Sequence, residues 1–167
     1  HEIMHRFSNL PSVSFRESPL ADLLSIGEAC FDELKLPEDV RAVWWPRFLA
    51  LAPNIIEWEK TRDDITVKRL PEIKSERIPV GKTGNVLGGR ADRIDLLKAG
   101  TAAIIDYKTG SNPSKKQAFS LVAPQLALEA ALLQRGAFLD AGVVDPEELS
   151  FIRFRPNGQV DAENILI

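Results

Sequence analysis

Apolar residues recur every three or four positions through the first third of the chain, then alternate with polar ones from about Ile65. The first regime predicts helices and the second strands. His1–Phe7 reads as a short helix with Ile3 and Phe7 one turn apart. Ser14–Glu17 reads as a linker. Ser18 is placed to cap the next helix, with Pro19 at its first position and the helical period kept through Leu36. Pro37 is expected to open a short helix with Val40, Val43 and Trp44 inward. Pro46 is expected to open a third helix, kinked at Pro53, where the ring removes a backbone donor.

Beyond Ile65 a first strand alternates through Leu70 and a second runs from Ile73 to Val80. Lys82–Asn85 supplies a turn, with Gly84 suited to positive φ. Gly88-Gly89 permits a bend into the strand carrying Asp92, and Lys98-Ala99-Gly100-Thr101 joins that strand to Ala103–Lys108. After a loop at Thr109–Pro113, a helix is expected from about Val122 to Arg135, ended by Gly136. Leu121, Val122, Gln125, Leu128 and Leu132 would share one face, where Gln125 should have a partner if buried. Leu149–Arg155 reads as a last strand, followed by a turn at Pro156–Gly158 and a weakly defined tail. Helices, three strands, a helix and a strand predict an α/β or α+β fold.

Length and composition narrow the picture. A chain of 167 residues with 44% hydrophobic and 27% charged content reads as one ordinary globular domain. Its single cysteine, Cys30, excludes an internal disulfide and any four-cysteine iron–sulfur or zinc site within the chain; Cys30 reads as a core residue. No signal peptide, lipidation motif or run of about 18 apolar residues stands out, so a cytoplasmic location without membrane attachment is expected. A net charge of −3 argues against broad coating of nucleic acid, leaving a local basic patch or a bound cation to make any such contact. The start at His1 without Met and the end at Asn164-Ile165-Leu166-Ile167 read as one domain, residues 1–167, cut from a longer chain.

The chemistry concentrates in Gly88-Gly89-Arg90-Ala91-Asp92-Arg93-Ile94-Asp95 and Ala103-Ile104-Ile105-Asp106-Tyr107-Lys108-Thr109-Gly110. Strand residues alternate faces, so Asp106 and Lys108 share one face and Ile105 and Tyr107 the other. A hairpin lets Asp92 face Asp106 with Lys108 beside them. Two carboxylates and an ammonium on one sheet face suit a hard divalent cation and an attacking water. Asp-x-Lys alone is commonplace and usually a solvated edge. Joined to Gly-x-x-Asp at hairpin distance and to the Tyr-Lys-Thr-Gly ending, it becomes specific.

That combination resembles the PD-(D/E)XK nuclease superfamily, and the wording around it is similar to the nuclease domains of AddB and RecB recombination proteins. The resemblance implies a restriction-endonuclease-like core, α-β-β-β-α-β in order, with a mixed sheet flanked by helices. It implies a Mg²⁺-dependent deoxyribonuclease, an exonuclease in an AddB-like double-strand-break repair protein, with Mn²⁺ able to substitute. DNA and an AddA-type helicase–nuclease subunit are the implied partners. Asp92 and Asp106 would hold the metal, helped by the Tyr107 carbonyl and a helical histidine. His1 fits the family's Gly-x-x-(Leu/Ile)-His pattern better than His5, whose glycine position would be His1 itself. Lys108 would act on the attacking water or the phosphate. Some nucleases resembling this chain carry a cysteine-bound iron–sulfur cluster, which this chain cannot build. A catalytically silent DNA-binding or structural module is the alternative; its usual sign is a lost carboxylate or lysine, and none is lost.

Gln125 matches the glutamine of the family's following helix and is expected to position substrate or a metal-bound water. Glu129 stands where a tyrosine is common, which leaves its role open. Glu59 is a weak further candidate for the metal site, since glutamates near helix ends are usually solvated. Trp44, Trp45 and Trp58 could stack bases, but tryptophans at helical spacing among leucines read first as core. Lys115-Lys116 reads as solvated, with phosphate contact as the rival.

Overall fold

The computed structural model describes residues 1–109 and 124–166. Its helices are α1 (Glu2–Ser8), α2 (Pro19–Glu33), α3 (Glu38–Asp63) and α4 (Gln125–Gln134). Its strands are β1 (Thr66–Lys74), β2 (Ile78–Pro79), β3 (Val86–Leu87), β4 (Arg90–Leu97), β5 (Ala102–Lys108), β6 (Pro146–Phe154) and β7 (Val160–Asn164). Five strands form a mixed sheet in the order β1-β4-β5-β6-β7. All neighbours in it are antiparallel except β5 and β6, which run parallel. A parallel pair needs a crossover, and α4 lies in the connection between these two strands. This is the expected α/β architecture with helices on both faces.

Each sheet face carries its own core. Ile94, Ile104 and Phe151 pack toward α4 with Leu126 and Leu133. Ile105, Tyr107 and Ile152 pack on the opposite face with Met4, Phe7, Leu23, Ile55 and Ile56 from α1, α2 and α3. Cys30 is buried, as expected. Gly27 permits the close crossing of α2 and α3, because a Cβ there would lie 2.2 Å from the Phe48 ring. Among the described residues no helix is long and apolar enough to cross a membrane.

Several elements differ from expectation. Glu38–Asp63 is one helix of 26 residues that continues through Pro46 and Pro53. Both prolines are exposed, so the carbonyls they leave without partners have water within reach, while Ala52, Ile55 and Ile56 anchor the buried side. Val43 and Trp44 are exposed instead of inward. β1 runs unbroken through Pro71 because it is an edge strand, where a missing donor can face outward. Ile78–Pro79 instead pairs with Val86–Leu87 in a separate small hairpin, turned where Gly84 has φ +78°. The tail after Gly158 is the ordered edge strand β7. In α4 the buried positions include Leu126, Glu129, Ala130 and Leu133, whereas Gln125 and Leu128 are exposed; Leu121 and Val122 lie outside the described residues, as do Lys115 and Lys116.

Candidate active site

The register of β4 against β5 builds the site. Arg93 pairs with Ile105 and Asp95 with Ala103, so the same register continued one step sets Asp92 opposite Asp106. The Tyr107 backbone amide donates to Asp92 Oδ2 at 3.0 Å, tying the two strands together beyond their regular pairing. His1, at the N-cap of α1, brings Nδ1 within 3.1 Å of the same oxygen. His5 makes no such approach: its Nδ1 is buried without a hydrogen-bond partner among the described residues.

Asp106 is buried, and Lys108, two residues on, places its ammonium 2.7 Å from Asp106 Oδ2. Burial pushes the Asp106 carboxyl above the usual carboxylate range; Lys108 opposes that rise, the Asp92 charge adds to it, and Gln125 opposes it. Gln125 Nε2 also donates to Glu129 Oε1 at 3.2 Å. Glu129 is buried on α4, and burial pushes its carboxyl up to about 8, against the Gln125 hydrogen bond and with help from the charges of Asp106 and Asp92. His1, Asp92, Asp106, Lys108 and Gln125 thus lie in one connected neighbourhood. Glu129 joins it, and its signal in the sequence was its place one helical turn beyond Gln125.

The donor set can be tested against a cation. Glu129 Oε2 is buried without a hydrogen-bond partner among the described residues, whereas the buried Asp106 Oδ2 is met by the Lys108 ammonium. Buried carboxylate oxygens without donors are costly unless a cation or proton meets them. Oxygen donors of this kind fit a hard divalent ion. Among the described residues no three His, Cys, Asp or Glu side chains are gathered around a single point, so an ion held here would also use carbonyl oxygen and water. Mg²⁺ ordinarily keeps several waters, so the set is compatible with it.

Glu59 does not belong to this centre. It is 1% exposed and receives Arg93 Nη1 at 2.5 Å, on the opposite face of the sheet. Arg93 also donates to Asp95 Oδ1 at 2.6 Å and to the Tyr107 hydroxyl at 3.2 Å. Arg62 reaches Asp95 and Glu148, and Arg69 pairs with Asp63. Burial alone would raise the Asp95 carboxyl, but Arg93, with Arg62 and Arg69, holds it below the usual range. The charges on this face had no sequence signal beyond Arg93 and Asp95 alternating with apolar Ile94. Trp58 packs edge-on against Tyr107 with Arg93 over its ring at 5.3 Å, and Trp45 packs among Phe31 and Phe48.

A mixed sheet with helices on both faces, bearing paired carboxylates and a lysine on adjoining strands, defines a nuclease-type core. The family model of the PD-(D/E)XK nuclease superfamily matches residues 1–165, and the chain belongs to that superfamily. Its members are generally nucleases and typically use divalent metals. Similar proteins include an uncharacterized protein of Rickettsia bellii, 28% identical over 140 residues, and one of Rickettsia typhi, 30% identical over 119 residues. The matches cover 83% and 71% of this chain but only 17% and 14% of those proteins, so the chain spans about a sixth of their length.

Proposed function

We propose that this domain hydrolyses DNA phosphodiester bonds with Mg²⁺, or Mn²⁺ in its place, as the exonuclease unit of an AddB-like repair protein. The observation that carries the reading is the grouping of Asp92, Asp106 and Lys108 at one end of the β4–β5 pair, with the buried Asp106 Oδ2 held 2.7 Å from the Lys108 ammonium. Asp92 and Asp106 would hold the cation, with the Tyr107 carbonyl and His1 completing the protein's share. A cation bound there supplies charge neutralisation at the phosphate and acidifies a bound water.

The side chains have separable tasks. The Lys108 ammonium, held beside Asp106, orients the attacking water or offsets charge growing on the phosphate oxygens. Asp92 accepts from the Tyr107 amide and so keeps its carboxylate fixed when substrate enters. Gln125, exposed at the start of α4, offers an amide to the substrate or to a metal-bound water. The wider reading, an AddA-type helicase partner feeding a strand to this site within the cytoplasm, follows from the resemblance of the two motif strands. Titration of Mg²⁺ and Mn²⁺ against end-labelled single-stranded DNA tests the activity. Metal-dependent product that disappears with Lys108→Ala is expected; product unchanged by that substitution would contradict the assignment.

A further inference from the structure

A cavity of about 190 Å³ opens beside the candidate active site, and its walls are almost wholly apolar. Three residues join the two. His1 lines the cavity and also contacts Asp92 at 3.1 Å. Thr109, the residue after Lys108, also lines it. Phe154 forms part of its wall and stacks on Tyr107, with ring centroids 5.6 Å apart and planes 17° from parallel. The cavity therefore begins where the line Asp106-Tyr107-Lys108 ends.

We propose that this cavity receives one unpaired base of the DNA strand whose neighbouring phosphate lies at Asp92 and Asp106. The inference rests on the nuclease reading and adds the substrate form, a strand that is single-stranded where it is cut. Trp44 and Phe48 from α3 and Phe154 from β6 give the cavity aromatic walls, and Trp44 is 47% exposed, so a base can reach its ring. Base–aromatic stacking tolerates any sequence because every base has a π-face. Arg47 lies over the Trp44 ring at 5.3 Å and makes no ion pair among the described residues. Arg155 is also on the lining but is paired with Asp161, which leaves Arg47 as the lining arginine without an ion pair among the described residues; no described Asp or Glu lines the cavity. In a chain of net charge −3, the Arg47 guanidinium beside an aromatic cavity complements a ligand that is itself aromatic and anionic. An enclosed engineered cavity of roughly 150 Å³ accepts benzene, so this one has room for a flat aromatic ring.

The test is binding of full-length protein to a fluorescein-labelled single strand in Ca²⁺ buffer, read by anisotropy, with one abasic nucleotide moved along the strand. For the unaltered protein, one abasic position should weaken binding about tenfold, the scale of one base–aromatic stack. Trp44→Ala should weaken binding of the intact strand by a similar factor and become indifferent to the abasic position. Trp44→Phe should retain most of the discrimination. A flat abasic scan, discrimination unchanged in Trp44→Ala, or no binding of the strand would overturn the proposal. Cleavage is scored separately in Mg²⁺. A protein that cuts but gives a flat scan loses the base cavity and keeps the nuclease reading; one that discriminates but does not cut does the reverse.

Discussion

Asp92 accepts the backbone amide of Tyr107 at 3.0 Å, so one site carboxylate is fastened to the strand that carries the other. The contact couples site geometry to strand pairing. Asp92→Asn keeps an oxygen that can accept from the amide, whereas Asp92→Ala does not. We expect Asp92→Ala to lose about 1 kcal/mol of stability and Asp92→Asn less, while both lose cleavage. Parallel thermal melts and cleavage assays separate the hydrogen bond from the charge.

The charges on the opposite face should dominate stability. Asp95 is buried against Arg93 and Arg62, and removing one partner of a buried pair commonly costs about 3–5 kcal/mol. Asp95→Asn should approach that cost in urea unfolding. The pH dependence has a definite sign. The Asp95 pKa is depressed in the folded state, so its contribution is present above the unfolded value near 3.9 and is lost as pH falls through the folded value. Acid unfolding of Asp95→Asn should be correspondingly flatter.

Glu129 should show the opposite slope. Its folded pKa of about 8 lies above the unfolded value, so the folded protein holds an extra proton between roughly pH 4.3 and 8. That contribution is present below the unfolded value and is lost as pH rises, at up to about 1.4 kcal/mol per pH unit. In EDTA, Glu129→Gln should remove this slope and be the more stable protein at pH 8. Chemical denaturation at a series of pH values measures it.

Gly27→Ala tests the α2–α3 crossing. The new methyl would meet Phe48 at 2.2 Å, and overpacking of this kind typically costs about 1–3 kcal/mol. A lowered melting temperature is expected, because Phe48 must shift to make room.

The juxtaposition of Asp92, Asp106 and Lys108 was more legible than the elements that support it. Alternation along β4 and β5, with a short connection, was enough to put Asp92, Asp106 and Lys108 together, because register follows from period and turn length. The continuous α3 was not legible: local rules stop a helix at Pro46, whereas packing of Ala52, Ile55 and Ile56 carries it on. Pro71 misled in the same way, since only the sheet order reveals that β1 is an edge. Glu59 read as a solvated helix end, and its partner Arg93 lies 34 residues away, beyond any local pattern. The half-exposed Trp44 had been expected in the core, where tryptophans at helical spacing usually lie.

The central claim is that Asp106 serves a cation-dependent cut. It is tested most directly by following release of labelled nucleotide from single-stranded DNA by Asp106→Asn and unaltered full-length protein, in Mg²⁺, Mn²⁺ and EDTA. The account predicts cleavage by the unaltered protein in either metal, none in EDTA, and none by Asp106→Asn in any condition, with both proteins melting cooperatively. Cleavage by a folded Asp106→Asn protein at the unaltered rate, or cleavage undiminished in EDTA, would contradict it.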